Sequence, residues 1–161
     1  MNGMVPNDAD ATLRMMRLLW GVSLTGQLLY LAAISVIWNF FHWEPFEEVA
    51  RWLFWLSAGG LVAGVPIAFF IRGQIYKRHW VGDAITPRGY FFGMVTVWTT
   101  LETVSLCALT AVLLGRTALP AMLPSIICVT LEAACFPTGE PMWGDGFDGV
   151  RRMGADEDDE R

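Results

Sequence analysis

The sequence predicts an all-α membrane protein, a bundle of four transmembrane helices, from the distribution of its charges. The 161-residue chain is 54% hydrophobic, and four apolar segments together hold only two of its charged side chains, Glu102 and Glu132. These segments comprise residues 18–41, 52–71, 90–114 and 119–136. Their lengths approach the ~20 residues that a helix needs to cross a bilayer. Such a distribution excludes a water-soluble enzyme, a nucleic-acid-binding protein and a secreted disulfide scaffold.

The basic residues predict the orientation of the bundle. Nine of the 11 Lys and Arg residues lie on one side of the four spans, and only Arg51 and Arg116 lie on the other. Because cytoplasmic loops carry an excess of positive charge, we expect residues 1–17 and the tail 137–161 to be cytoplasmic. We expect this membrane to be an inner, energy-conserving membrane. The external loops are too short for a ligand-binding or catalytic domain.

The first two spans, 18–41 and 52–71, differ in character. The first is longer than a signal-peptide core and lacks a cleavage site, so we expect it to be retained. The second is a packing helix, because small residues at a spacing of four let two helix backbones approach closely. Packing against another span of the same chain is favoured, and homodimerisation is the alternative. The proposed packing residues are Gly59, Gly60, Gly64 and Ala68. Pro66 should kink this helix.

The loop 72–89 is basic and contains aromatic residues, which favours a short interfacial helix on an anionic leaflet. Lys77, Arg78 and Arg88 are the candidate lipid head-group contacts. The alternative is an ordinary positively charged anchor. At the end of the loop, Thr86 and Pro87 are typical of a helix N-cap followed by proline at the first helical position.

The last span, 119–136, is short and ends at Pro137. The tail 137–161 that follows has no apolar periodicity and closes with a run of acidic residues. We therefore expect it to be flexible.

The sequence predicts no cofactor and no metal. The three cysteines, Cys107, Cys128 and Cys135, fall inside predicted spans and are interpreted as apolar packing residues. The two histidines, His42 and His79, fall on opposite sides of the membrane, which disfavours a shared metal or haem.

Glu102 is the most informative residue, because it lies at the centre of its span. Carboxyl groups at this depth are costly, and they usually face the bundle interior or mark an ion or proton path. Counting helical rise places Gln27 and Tyr30 of the first span at about the same depth, and Thr99 and Thr103 flank Glu102 on its own helix. We predict a polar layer and candidate proton or ion site formed by these residues, with a purely structural polar anchor as the alternative.

Glu132 is a secondary candidate, because it lies only four positions before the end of its span. At ~1.5 Å per residue it is expected about 6 Å below the cytoplasmic boundary. We interpret it as an interfacial acid, about 12 Å from Glu102 in depth by the same rise, and not as a partner in sharing a proton with Glu102.

Two resemblances follow from these motifs. The stretch Leu101 to Leu106, with Gly59, Gly60 and Gly64 in the preceding span, resembles the carboxylate and glycine-rich helices of rotor-ring proteolipids. That resemblance implies that Glu102 carries an ion. The overall pattern, including a Phe-Pro-Thr-Gly sequence at 136–139, is similar to that of small bacterial four-span proteins of no assigned function, and this group is favoured.

The function predicted from the sequence is that of a non-enzymatic accessory or interaction subunit of a membrane complex. Packing motifs are plentiful, whereas the segments outside the spans are too small for a catalytic domain. The partners expected are the lipid bilayer and either a second copy or a subunit of a membrane complex, with no nucleic acid. The alternative is a proton- or cation-translocating, rotor-like subunit that uses Glu102.

Overall fold

A computed structural model of the chain describes residues 5–40, 44–116 and 119–143, with side chains from Ala9 onwards. The chain is mostly helical, as predicted, and also contains a short β-hairpin. The helices are α1 Val5–Phe40, α2 Glu47–Gly59, α3 Val65–Arg78, α4 Pro87–Gly115, α5 Leu123–Ala134 and α6 Glu140–Trp143. A π-helical segment, Gly60–Gly64, joins α2 to α3, and the antiparallel strands β1 Trp80–Val81 and β2 Ala84–Ile85 form the hairpin.

Three helices in the described part of the chain are long and apolar enough to cross a membrane. They are Ala9–Phe40, Glu47–Arg78, in which α2, the π-helical segment and α3 are continuous, and Pro87–Gly115. The fourth apolar helix, α5, has 12 residues, so it is about 18 Å long against a hydrocarbon core of about 30 Å. A membrane location is therefore supported by three helices.

Helix α4 lies at the centre of the fold and contacts α1, α2, α3 and α5. Half of its most apolar window is buried, compared with 11% for α1 and 17% for the helix that contains α2 and α3. The apolar side chains that face away from α4 are exposed, among them Val22, Val62 and Phe70. An exposed apolar exterior is what a lipid environment requires.

Gly60 brings α2 and the π-helical segment close to α4. A Cβ atom at Gly60 would lie 2.7 Å from Val104 Cγ2, and one at Gly64 would lie 3.8 Å from Thr100 Cγ2. Ala68 continues this contact and is only 3% exposed. The predicted small residues Gly60, Gly64 and Ala68 thus pack against another helix of the same chain. Gly59 differs from the prediction, since a Cβ there would meet nothing within 4 Å.

Pro66 produces a π-helical turn. Proline cannot donate to the carbonyl four residues earlier, which belongs to Val62, and the backbone around it is wound with wider spacing. The amide of Val65 donates to the carbonyl of Gly60, five residues back, which is the hydrogen bond that defines a π-helix. The structure thus shows a local change of winding at Pro66, and a kink of the helix axis stays a prediction.

The loop 72–89 does not form the predicted separate interfacial helix. Helix α3 continues through Lys77 to Arg78, and the chain then reverses in the hairpin, where Gly82 has a φ of 66°. A left-handed residue of this kind ends a helix and suits a tight turn. The predicted start of α4 is found, because the Thr86 hydroxyl accepts a hydrogen bond of 3.3 Å from the Gly89 amide and Pro87 opens the helix.

The predicted flexible tail is wrong for residues 137–143. Pro137 is fully buried and Met142 is 4% exposed, and Met142 packs with Leu13 and Met16 of α1 and with Ile85. These apolar side chains close the end of the bundle. The remainder of the tail, 144–161, and therefore its acidic run, lies outside the described residues.

The close contact at Gly60 predicts a position-specific effect of a large side chain. We expect Gly60→Leu to lower the free energy of unfolding in mixed detergent micelles by about 1–3 kcal/mol, because the new side chain collides with Val104. Gly59→Leu is the matched control, with the same gain in helix propensity and open space around it. Equal stability of the two variants would contradict the packing described.

Candidate functional site

A glutamate and a glutamine that are both removed from solvent form the centre of the candidate site. Glu132 of α5 is 0% exposed and Gln27 of α1 is 2% exposed. The amide nitrogen Nε2 of Gln27 donates a short hydrogen bond to the carboxyl oxygen Oε2 of Glu132. This bond links the first and last apolar helices of the chain.

The backbone around Glu132 is fixed by two tryptophans. The indole nitrogen of Trp20 donates to the Glu132 carbonyl over 2.8 Å, and that of Trp98 donates to the Cys135 carbonyl over 3.2 Å. The ring of Trp20 also meets Phe136 edge to face, with 5.0 Å between ring centroids. Because the last carbonyls of a helix lack partners within the helix, these indoles stabilise the end of α5 and hold Glu132 in register with α1.

Three oxygen atoms of this cluster are buried and have no hydrogen-bond partner in the described structure. They are Ser23 Oγ, Gln27 Oε1 and Glu132 Oε1. The Ser23 hydroxyl is close enough to the carboxyl to interact with it electrostatically, without the geometry of a hydrogen bond. The cluster therefore has more acceptor oxygens than donor hydrogens. A proton on Glu132 or a small cation would balance that excess.

Glu132 is buried inside the bundle, whereas the sequence predicted an acid near the membrane interface. Residues beyond α5 fold back over it, with Phe136 against Trp20 and with Pro137 buried. Counting depth from the end of the apolar segment ignored this additional layer. A negative charge on Glu102 would act on Glu132 less strongly than burial and the Ser23 and Gln27 side chains do, and the predicted separation in depth stays a prediction.

The predicted layer of Glu102, Gln27 and Tyr30 is divided among different partners. Gln27 binds Glu132, and the Tyr30 hydroxyl lies 3.1 Å from the Thr110 hydroxyl. Glu102 is half-buried and has no hydrogen bond or ion pair with any described residue. The structure therefore leaves Glu102 next to the cluster and not within its hydrogen bonds.

The two threonines that flank Glu102 bond only to their own helix. Thr99 donates to the Val95 carbonyl over 2.8 Å, and Thr103 donates to the Thr99 carbonyl over 2.7 Å. Both are exposed, so they offer a polar strip on the outside of α4.

A polar contact that sequence reasoning missed connects α4 to α5. The hydroxyls of Ser105 and Ser125, both buried, lie 2.8 Å apart. Small hydroxyl residues within apolar helices commonly bond across helix interfaces. The occurrence of a serine in each of the last two spans was the available signal.

A cavity of about 150 Å³ extends from the lipid-facing side of the bundle to Gln27. It lies between α1, α4 and α5 and is otherwise mainly apolar, with Leu28 and Ile126, both exposed, among its lining residues. The cavity therefore places exposed apolar side chains beside Gln27.

Within the described ranges, no group of three His, Cys, Asp or Glu residues could hold a metal ion. The three cysteines are free thiols.

No family model, curated protein or solved structure matches this chain. The two resemblances drawn from the sequence therefore stay predictions.

The Gln27–Glu132 bond predicts strong coupling in a double-mutant cycle. We expect Gln27→Leu and Glu132→Leu each to lower the free energy of unfolding by about 1–3 kcal/mol, since each leaves a buried polar partner unpaired. The double variant should lose less than the sum, with a coupling of about 0.5–3 kcal/mol. Strictly additive losses would contradict a direct bond. Tyr30→Phe, which removes a different bond to another helix, should show no coupling to Glu132→Leu.

Proposed function

We propose that the chain crosses the inner, energy-conserving membrane of a bacterium four times and acts there as a non-enzymatic accessory subunit of a membrane complex. The observation that supports this proposal is that Glu102 has no partner among the described residues and lies beside the exposed threonines of α4. The proposal has two parts, the topology and the docking surface.

The path of the chain after α4 supports the fourth crossing. Ala121 packs with Leu109 and Val112 near the end of α4, whereas Met142 packs with Tyr90 near its start. Residues 121–142 thus return along about 20 residues of α4, or about 30 Å, which matches the hydrocarbon core. Helix α5 and the segment that follows it together provide the length that α5 lacks alone.

The distribution of basic residues supports cytoplasmic termini. Arg14 and Arg17 of α1, the basic end of α3 and Arg88 at the start of α4 all belong to the same end of the bundle. Under the positive-inside rule this end faces the cytoplasm.

The docking surface proposed is the strip formed by Thr99, Glu102 and Thr103. A carboxyl group that faces a membrane interior is unfavourable unless another group binds it, and Glu102 finds no such group among the described residues. A partner's transmembrane helix that carries a hydrogen-bond donor would satisfy it. The glycine surface at Gly60 is already occupied by Val104, so it is not the docking surface.

Purification in mild detergent from the native membrane tests this function. We expect the wild-type chain in a stoichiometric particle with a second kind of subunit, and we expect Glu102→Leu to release it while Glu102→Gln, which keeps hydrogen-bonding ability, retains part of the particle. Thr130→Leu is the matched control, because Thr130 is an exposed residue of α5 whose hydroxyl bonds to its own helix. A wild-type chain that purifies alone or only with copies of itself, or a particle indifferent to Glu102→Leu, would refute the proposal.

A second candidate function is translocation of a proton or monovalent cation, and it is favoured by the cluster at Glu132. Buried acceptor oxygens in excess of donors provide a binding place, and Glu102 lies within electrostatic reach of it. Two interacting carboxyl groups at different positions in a bundle are the smallest set of sites between which a cation could move.

Labelling by a hydrophobic carbodiimide and flux in vesicles separate the second candidate from the first. If the chain translocates cations, the reagent should modify Glu102 or Glu132 in a pH-dependent manner, and Glu102→Gln and Glu132→Gln should each abolish flux. Tyr30→Phe should leave it unchanged. If reconstituted wild-type vesicles carry no flux above that of empty vesicles, or if both glutamine variants conduct normally, translocation is refuted.

A further inference from the structure

A second cavity, of about 330 Å³, lies between α3, the start of α4 and the segment after α5. Its polar lining comprises Arg72, Tyr76, Tyr90, Thr138 and Glu140, and its apolar lining includes Phe69 and Phe136. A volume of this size is within the range of small-molecule sites. The cavity is separate from the cluster at Glu132 and plays no part in the proposed docking surface.

Arg72 supplies a cationic group without a charged partner. Its guanidinium carbon lies 5.4 Å from the centre of the Phe69 ring and 5.3 Å from that of Tyr76. No carboxylate of the described chain is within ion-pair distance, and no hydrogen bond engages its N–H groups. The contacts with rings hold the side chain in place, while its planar set of N–H donors suits two oxygens of a carboxylate or phosphate.

Two tyrosines add hydroxyl donors beside Arg72. The Tyr76 hydroxyl oxygen is buried and has no partner in the described structure. The Tyr90 hydroxyl accepts from the Gly139 amide at 3.4 Å, so its own hydrogen can be donated. The rings of the two tyrosines are stacked with centroids 5.8 Å apart. The cavity therefore presents one guanidinium and two hydroxyls to an acceptor such as a phosphate group.

Gly93 of α4 makes this arrangement possible. A Cβ atom at this position would collide with the ring of Tyr76 and lie 3.2 Å from Arg72 Cγ. The missing side chain leaves the space in which both α3 residues approach α4. The pairing of Arg72 with Tyr76 is thus built into the helix contact.

The position of the cavity favours a lipid as the source of the phosphate. Arg72 lies six residues before the end of α3 at Arg78, or about 9 Å along the helix, near the level expected for head groups. Basic pockets between transmembrane helices bind lipid phosphates. Phe136, which is 42% exposed, provides an apolar wall for an acyl chain, and a soluble phosphate compound would not use it.

We infer that this cavity binds a membrane phospholipid with a primary amine in its head group, with the phosphate on Arg72 and the two tyrosine hydroxyls and the ammonium on Glu140. Glu140 lines the cavity and is exposed, so it favours a cationic group beside the phosphate and disfavours a head group with net negative charge. The inference rests on the proposed membrane placement of the helices and is independent of the docking surface at Glu102.

Native mass spectrometry of the full chain in detergent, titrated with phosphatidylethanolamine, phosphatidylglycerol or inorganic phosphate, tests the inference. We expect wild type to retain one phosphatidylethanolamine, Arg72→Gln to bind it about tenfold more weakly and Tyr76→Phe, which keeps the ring, about threefold more weakly. Glu140→Gln should abolish the preference over phosphatidylglycerol.

Arg14→Gln is the matched control for this titration. Arg14 is an exposed arginine of α1 at the same end of the bundle, and it does not line the cavity. We expect this variant to bind phosphatidylethanolamine as wild type does. The inference is overturned by an equal loss in Arg14→Gln and Arg72→Gln, by equal retention of both lipids in wild type, or by displacement of the lipid by millimolar inorganic phosphate.

Discussion

The hydrogen bond between Gln27 and Glu132 is the interaction on which the arrangement of the outer helices depends. Only 11% of the apolar window of α1 is buried, and apolar contact gives little drive for helix association when the surroundings are equally apolar. In addition to the buried Leu13, Met16 and Ile34, helix α1 is attached by polar groups, with Trp20 and Gln27 on Glu132 and Tyr30 on Thr110. Since each bond joins one named pair, together they set the register of α1 against α4 and α5.

The side of α4 that faces the π-helical segment and α3 is held by close packing at glycine residues. Gly60 admits Val104 and Gly64 admits Thr100, so the backbone of the π-helical segment lies against α4 with few polar contacts. Gly93 does the same for Tyr76 and Arg72, and Gly89 for His79. Helix α4 is thus central because it offers small residues to one neighbour and polar or aromatic groups to the others. Its exposed strip, with Thr99 and Thr103, is a face that the described residues leave uncovered.

Features that depend on local chemistry were predictable from the sequence, and features that depend on where the chain returns were not. Charge-free segments predict the helices, and the Thr86 hydroxyl with Pro87 predicts the start of α4. The sequence predicts the wrong partner for Gln27. Depth counted along single helices assumes that each span ends at the membrane boundary. The burial of Met142 against Leu13 adds a layer that the hydrophobic periodicity of the sequence does not predict. As a result Glu132, which the sequence ranks as interfacial, is the buried acid.

The proximity of Glu102 to Glu132 links the docking surface to the buried cluster. A negative charge on Glu102 opposes a negative charge on Glu132, so a partner that supplies a donor or cation to Glu102 would relieve that opposition. Thermodynamic linkage makes the effect reciprocal: occupancy of the Glu132 cluster by a proton or cation would change the affinity of Glu102 for its partner. We therefore expect the two proposed functions to be coupled, because charges on the unpaired acid outside α4 and on the acceptor-rich cluster inside the bundle would act on each other.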